Sequence, residues 1–94
     1  MKITKTGEAG REEKGDIYVK IEPASEGTGL KIDLTSSVER LYGERIRQTI
    51  LDVLEEFGVE DAHVTAIDHG ALDFVIRARV EAVLTYYSRE EVSI

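Results

Sequence analysis

The residues with chemistry to offer are few. His63 lies two places after Asp61, and His69 directly follows Asp68. Neutral imidazole and carboxylate can together hold a metal, but this spacing matches no ligand set, and exposed strand and turn residues account for both pairs. The adjacent carboxylates Glu12-Glu13, Glu55-Glu56 and Glu90-Glu91 raise general acid–base catalysis. Neighbours in sequence do not face a common point on a helix, so solvated charge is the expectation. Arg77 and Arg79 stand in an otherwise apolar stretch, where a guanidinium can clamp a phosphate or a partner's carboxylate. They can equally pair with nearby acids such as Asp73 and Glu81. Gly7, Gly10 and Gly15 resemble a phosphate-cradling loop in composition only, since their spacing fits neither GxGxxG nor a Walker A pattern. No catalytic residue and no metal site emerges. With no cysteine in 94 residues, a thiolate nucleophile, a disulfide framework and an iron–sulfur cluster are excluded, and any sulfur chemistry has to be supplied from outside.

The rest of the composition bounds what can position these groups. The length fits one small domain spanning 1–94, and 41% hydrophobic residues make it globular. The net charge of -7 argues against nucleic acid, which needs a basic stripe, and favours partners with basic docking surfaces. No apolar run is long enough for a membrane span, and Met1-Lys2-Ile3-Thr4-Lys5 lacks the apolar core of a secretory signal. A cytoplasmic protein is therefore expected.

Along the chain, Lys2–Thr4 reads as a short first strand, and the glycine-rich, charged residues 6–16 as an exposed loop. Ile17, Val19 and Ile21 alternate with polar residues up to Pro23, and Leu30, Ile32 and Leu34 repeat the pattern. Joined by a short polar connection, these two strands are expected to form an antiparallel hairpin. Ser36-Ser37-Val38-Glu39 fits a capping box, with Glu39 reaching back to the cap. Val38, Leu41, Tyr42, Ile46, Ile50, Val53, Leu54 and Phe57 then recur at helical spacing, and Gly58 ends the helix. Residues 61–67 suggest another strand, and Asp68-His69-Gly70 a turn. Leu72, Val75, Ile76, Val80, Val83, Leu84 and Tyr87 point to a second helix. The fold class is α+β: a small two-layer domain with a three- to four-stranded sheet and two helices packed on one face.

Three blocks carry a family resemblance. They are Met1-Lys2-Ile3 with Ala9-Gly10 and Gly15-Asp16-Ile17; Ser36-Ser37-Val38-Glu39 with Tyr42-Gly43, Ile46-Arg47 and Thr49-Ile50-Leu51-Asp52-Val53-Leu54; and Gly70-Ala71-Leu72-Asp73 with Ile76-Arg77-Ala78-Arg79-Val80-Glu81-Ala82. Together they resemble the acyl carrier protein, or gamma chain, family of citrate lyase over nearly the whole chain, and more distantly the acyl carrier subunit of malonate decarboxylase. The resemblance implies a non-catalytic carrier in a multi-subunit complex. In that family a serine bears a phosphoribosyl-dephospho-coenzyme A arm, resembling phosphopantetheine, installed by a prosthetic-group transferase. The arm's thiol presents acetyl and citryl thioesters to the alpha and beta chains. Tethering raises the acyl group's effective concentration at successive sites, and the arm supplies the sulfur this chain lacks.

Placed in register, the modified serine falls between Ala9-Gly10 and Gly15-Asp16 at position 14, and this sequence has Lys14 there. Lys14, Gly15 and Asp16 are thus the implied attachment site, without the hydroxyl. Three accounts stand side by side. The lysine was introduced to prevent modification; the chain is a paralogue that keeps the docking surface and has lost the arm; or the amine itself carries a group, against which stands the poor nucleophilicity of a solvated ammonium. On the first two accounts this form is unmodified. On the second it is an interaction or regulatory module docking on lyase-like partners.

Overall fold

The computed structural model describes residues 1–92, and the side chains of all of these except Glu39 and residues 87–92. Tyr87 on the apolar stripe, the reach of Glu39 back to its cap and the Glu90-Glu91 pair therefore lie, as side chains, outside the described residues. The element order is β1 (Gly7–Ala9), β2 (Ile17–Pro23), β3 (Leu30–Ser36), α1 (Glu39–Glu56), β4 (Ala62–Asp68) and α2 (Asp73–Val92). One four-stranded sheet has the order β1-β2-β4-β3, and both helices pack on one of its faces. The α+β two-layer architecture expected from the periodicities is the one observed.

The core lies between that face and the helices. Ile17, Val19 and Ile21 from β2 and Ala62, Val64 and Ala66 from β4 are wholly buried. They meet Ile46, Ile50, Val53 and Leu54 of α1 and Ile76, Val80, Val83 and Leu84 of α2. Each fully buried aliphatic side chain of this kind contributes about 1.5–3 kcal/mol, so these stripes fix both helices on the sheet. At the end of α1, Gly58 takes φ +71°, donating to Glu55 O, while Val59 N–H reaches back to Leu54 O. These are the two bonds of a glycine-terminated helix end.

Three local expectations are corrected. Lys2–Thr4 forms no strand: Ile3 is buried as a single apolar anchor, and the first strand is Gly7–Ala9 instead. It pairs antiparallel with β2, Ala9 opposite Val19 and Gly7 opposite Ile21. Edge pairing of this kind runs through backbone groups, which small residues do not obstruct, so it leaves no hydrophobic period to read. Second, β2 and β3 are not a hairpin. β4 lies between them, antiparallel to β2 and parallel to β3. The connection through residues 24–29 is long enough to step over one strand, whose width is about 4.8 Å. α1 comes nearest to β3 and α2 to β1 and β2, so β4 lies beneath the seam between the helices. Third, the serine half of the capping box is not formed as expected: among the described side chains none caps the helix, and Val38 occupies the cap position. The Ser36 hydroxyl accepts the Val38 N–H at 3.1 Å and itself donates to buried Asp68 at 2.7 Å. Ser36 stands two residues before the cap residue, so its oxygen reaches the Val38 N–H and not the amides of the first helical turn, while its proton goes to Asp68.

The opposite sheet face, bearing Tyr18, Lys20, Glu22, His63, Thr65 and Ile67, is half-exposed and polar. There the Tyr18 hydroxyl donates to Glu8. That bond, then burial and the negative charge of Glu8, push the phenol up to about 12. Since the folded pKa lies above the unfolded value, the contact's contribution is whole below about pH 10 and is lost as pH rises through the folded value. Site-resolved NMR titration of the Tyr18 ring carbon should show the raised pKa in the native chain and a return toward about 10 in Glu8→Gln. An identical titration in both would refute the assigned cause.

Candidate functional site

Residues 10–16 join β1 to β2 as a seven-residue loop whose stretch 11–15 is exposed. Its two feet are held differently. At the first, Gly10 takes φ +86°, and a Cβ there would lie 1.8 Å from Ile17 O and 3.2 Å from Arg79 Cδ. Only glycine fits against that backbone. At the second, Gly15 N–H donates to His69 O at 2.7 Å, and His69 N–H donates to Asp16 O at 3.0 Å. The Asp16 N–H closes a turn onto Glu13 O at 2.9 Å.

The Asp16 carboxylate is the loop's principal fastening. Its Oδ1 accepts the Ile17 N–H at 2.7 Å and Arg79 Nε at 3.0 Å, and its Oδ2 accepts Arg79 Nη2 at 2.6 Å. This is a side-on, two-bond guanidinium–carboxylate pair. The Arg79 hydrogen bond, outweighing desolvation, holds Asp16 below the usual carboxylate range, and the same pairing raises Arg79. Lys14 sits exposed between these feet.

The turn that receives the loop is built on Asp68, which is 1% exposed. Its carboxylate accepts from Ser36 Oγ at 2.7 Å, from Gly70 N–H at 3.0 Å and from Ala71 N–H at 3.0 Å. Asp68 thereby ties the ends of β3 and β4 to the turn whose His69 backbone grips the loop. The sequence reading had Asp68 only as a neighbour of His69. A buried role was invisible because its donors lie on Ser36, 32 residues away, and on backbone amides.

The two arginines expected to bind a phosphate or a partner are not brought together. Arg79 holds Asp16, whereas Arg77 Nη2 contacts both oxygens of Glu56 at 2.7 and 2.9 Å and Glu81 at 3.5 Å, linking α2 to α1. Asp73, another expected partner, pairs with Arg45 at 2.9 Å. His63 Nε2 meets Asp33 at 2.6 Å, while Asp61 instead accepts the Gly29 N–H at 2.7 Å. His69 Nε2 is buried without a hydrogen bond, 3.8 Å from Glu12. Among the described residues no three His, Asp or Glu side chains converge as metal ligands, and no helix is long and apolar enough to cross a membrane.

Beside the Asp68 turn, Val38, Tyr42, Arg45, Ile46 and residues 70–73 line an open groove between the starts of the two helices. Leu41, Tyr42, Leu72 and Phe74 are all more than half exposed in this part of the chain. Leu41, Tyr42 and Leu72, expected on the buried stripes, are exposed instead, because they stand at or before the first turns of the helices, where the sheet no longer covers them; Phe74 alone falls off the expected stripe of α2.

This arrangement can present an exposed side chain on a fastened loop. Comparison with known proteins agrees with that character. The family model for the malonate decarboxylase delta subunit (MdcD) matches residues 4–86. The chain is 40% identical over 84 residues to the citrate lyase acyl carrier protein of Fusobacterium nucleatum, covering 89% of this chain and 88% of that one. It is 48% identical to the citrate lyase acyl carrier protein of Vibrio cholerae, with 89% and 85% covered. A solved chain in a Pseudomonas malonate decarboxylase hetero-tetramer in complex with malonate shares the fold at TM-score 0.70 and 22% identity, over 87% of this chain and 82% of that chain.

Proposed function

The chain belongs to the citrate lyase acyl carrier protein family, and from that premise we propose that it docks on the larger chains of a citrate-lyase-type complex without bearing a prosthetic arm at position 14. Membership makes it an acyl carrier subunit and not an enzyme. The observation that carries the reading is the loop 10–16, fastened at both feet with residue 14 held out to solvent. An arm attached there would swing without meeting the core, and the family's phosphoribosyl-dephospho-coenzyme A would supply the thiol that the chain lacks.

The residues present do not fit that group. Its attachment needs a hydroxyl, Lys14 has none, and residues 10–16 contain no serine or threonine. Thr6 lies before β1. Lys14 is also what favours the second reading, a non-carrier interaction or regulatory module on the same fold. Both readings assign the same partners, the alpha and beta chains, and they part over the prosthetic-group transferase.

Native mass spectrometry of this chain with citrate-lyase-type alpha and beta chains tests the proposal. The expected result is a complex that contains the chain at its unmodified mass and does not cleave citrate. Absence of any complex would refute docking. An arm's mass on the chain after co-expression with the transferase would refute the unmodified form.

A further inference from the structure

One side chain reaches from one foot of the presenting loop to the neighbourhood of the other. Arg79 comes from α2, 63 residues along the chain from Asp16. Its guanidinium makes two bonds to that carboxylate at the second foot, while its Cδ lies where a Cβ on Gly10 would come within 3.2 Å at the first. We propose that Arg79 and Asp16 are positioning residues, a clamp that fixes the loop shape in which residue 14 is presented, the shape the prosthetic-group transferase meets once that position carries a hydroxyl. This deepens the carrier reading and rests on it.

Three further observations support the assignment. The Asp16 carboxylate is fully engaged, since Oδ1 also takes the Ile17 N–H, so the clamp sets the backbone where the loop enters β2. Apart from the Gly15 N–H on His69 O and the Asp16 N–H on Glu13 O, the loop tip has only solvated side-chain contacts, such as Arg11–Glu13 at 3.6 Å. Such a surface pair adds almost nothing. Finally, α2 does not need Arg79 to stay on the sheet, because Ile76, Val80, Val83 and Leu84 already seat it. A partner that must accept a single side chain from a loop gains when that loop is already ordered, because the ordering cost is not charged against binding.

The test uses the full chain in two backgrounds. In the native sequence, hydrogen exchange is followed at the amides of Gly15, Asp16 and Ile17, each bonded at the second foot. Arg79→Gln and Asp16→Asn should each speed exchange there about tenfold or more while leaving β4 and α1 amides unchanged. In the Lys14→Ser background, the rate of arm attachment by the family's transferase is read by intact mass. Arg79→Gln should lower kcat/KM roughly tenfold to a hundredfold, chiefly through KM, and Arg79→Lys, which keeps the charge, should recover part of it. Unchanged loop exchange in Arg79→Gln overturns the clamp. So does faster exchange throughout the core, which would mark a general structural role. Faster loop exchange with an unaltered attachment rate overturns the presenting role. If the Lys14→Ser parent itself is not modified, it is the carrier reading that fails, and exchange alone decides the clamp.

Discussion

Lys14→Ser is expected to turn a chain that leaves the prosthetic-group transferase at unaltered mass into one carrying a single arm. The change supplies one atom, a hydroxyl oxygen, to a loop whose geometry owes nothing to the side chain at that position. Its feet are held by Gly10 against Ile17, by Gly15 on His69 and by Asp16 on Arg79. Lys14 is exposed, so the shorter serine leaves no cavity and strands no buried partner. Stability should therefore stay within about 0.5 kcal/mol of the native chain, as for surface substitutions in general. The effect on modification is all or none. Lys14→Arg and Lys14→Ala should both remain at the unmodified mass. When mixed with alpha and beta chains, the modified serine form should support citrate cleavage and the native chain should not. A serine variant that keeps its unmodified mass under conditions where a known family member is fully modified would defeat the carrier reading and leave the interaction module.

The largest expected effect on stability is at Asp68. Removing its carboxylate in Asp68→Ala takes the acceptor from the half-buried Ser36 hydroxyl and from the backbone amides of Gly70 and Ala71. Hydrogen bonds to a charged acceptor are worth roughly 1.5–3 kcal/mol each, but water can reach these part-exposed donors and recover some of that loss. The cost should be about 2–4 kcal/mol. A domain of this length has roughly 5–14 kcal/mol in total, so urea unfolding should show a midpoint shifted by a large fraction. Ser36→Ala removes one of the three donors and should cost about 1 kcal/mol. If Asp68→Ala costs less than Ser36→Ala, Asp68 is not the hub that the geometry assigns.

Much of the fold was legible because burial imposes a period. β2, β3 and β4 alternate along one face, and the stripes of α1 and α2 are buried at Ile46, Ile50, Val53, Leu54, Ile76, Val80, Val83 and Leu84, whereas Leu41, Tyr42 and Leu72, expected on those stripes, are exposed. What stayed hidden depends on groups without a period. β1 is held by backbone bonds to β2, through a glycine, a glutamate and an alanine. The place of β4 between β2 and β3 follows from which strand fits beneath both helices, a packing outcome that no single segment encodes. The candidate site divides in the same way. Position 14 was found because the flanking pairs Ala9-Gly10 and Gly15-Asp16 resemble a family motif, not because lysine there has chemistry. Arg79 stood out as a cation in an apolar stretch, but its partner is far off along the chain, and local reading offered Asp73 and Glu81 instead. Ser36 fits a capping pattern in sequence, but it stands two residues before the cap residue Val38, and its proton goes to Asp68, 32 residues away.

The strand order has a consequence for how this chain meets others. In β1-β2-β4-β3 the outer strands are β1 and β3, and each presents a row of backbone groups to which a foreign strand could add. β1 spans three residues, too few to template a stable ladder. β3 is longer, but Lys31, Asp33 and Thr35 stand exposed along it, and charged side chains on an outer strand discourage sheet extension and the aggregation that follows from it. Neither margin of the sheet is an inviting seam. Recognition of this chain is thereby left to side-chain surfaces and to the loop between β1 and β2.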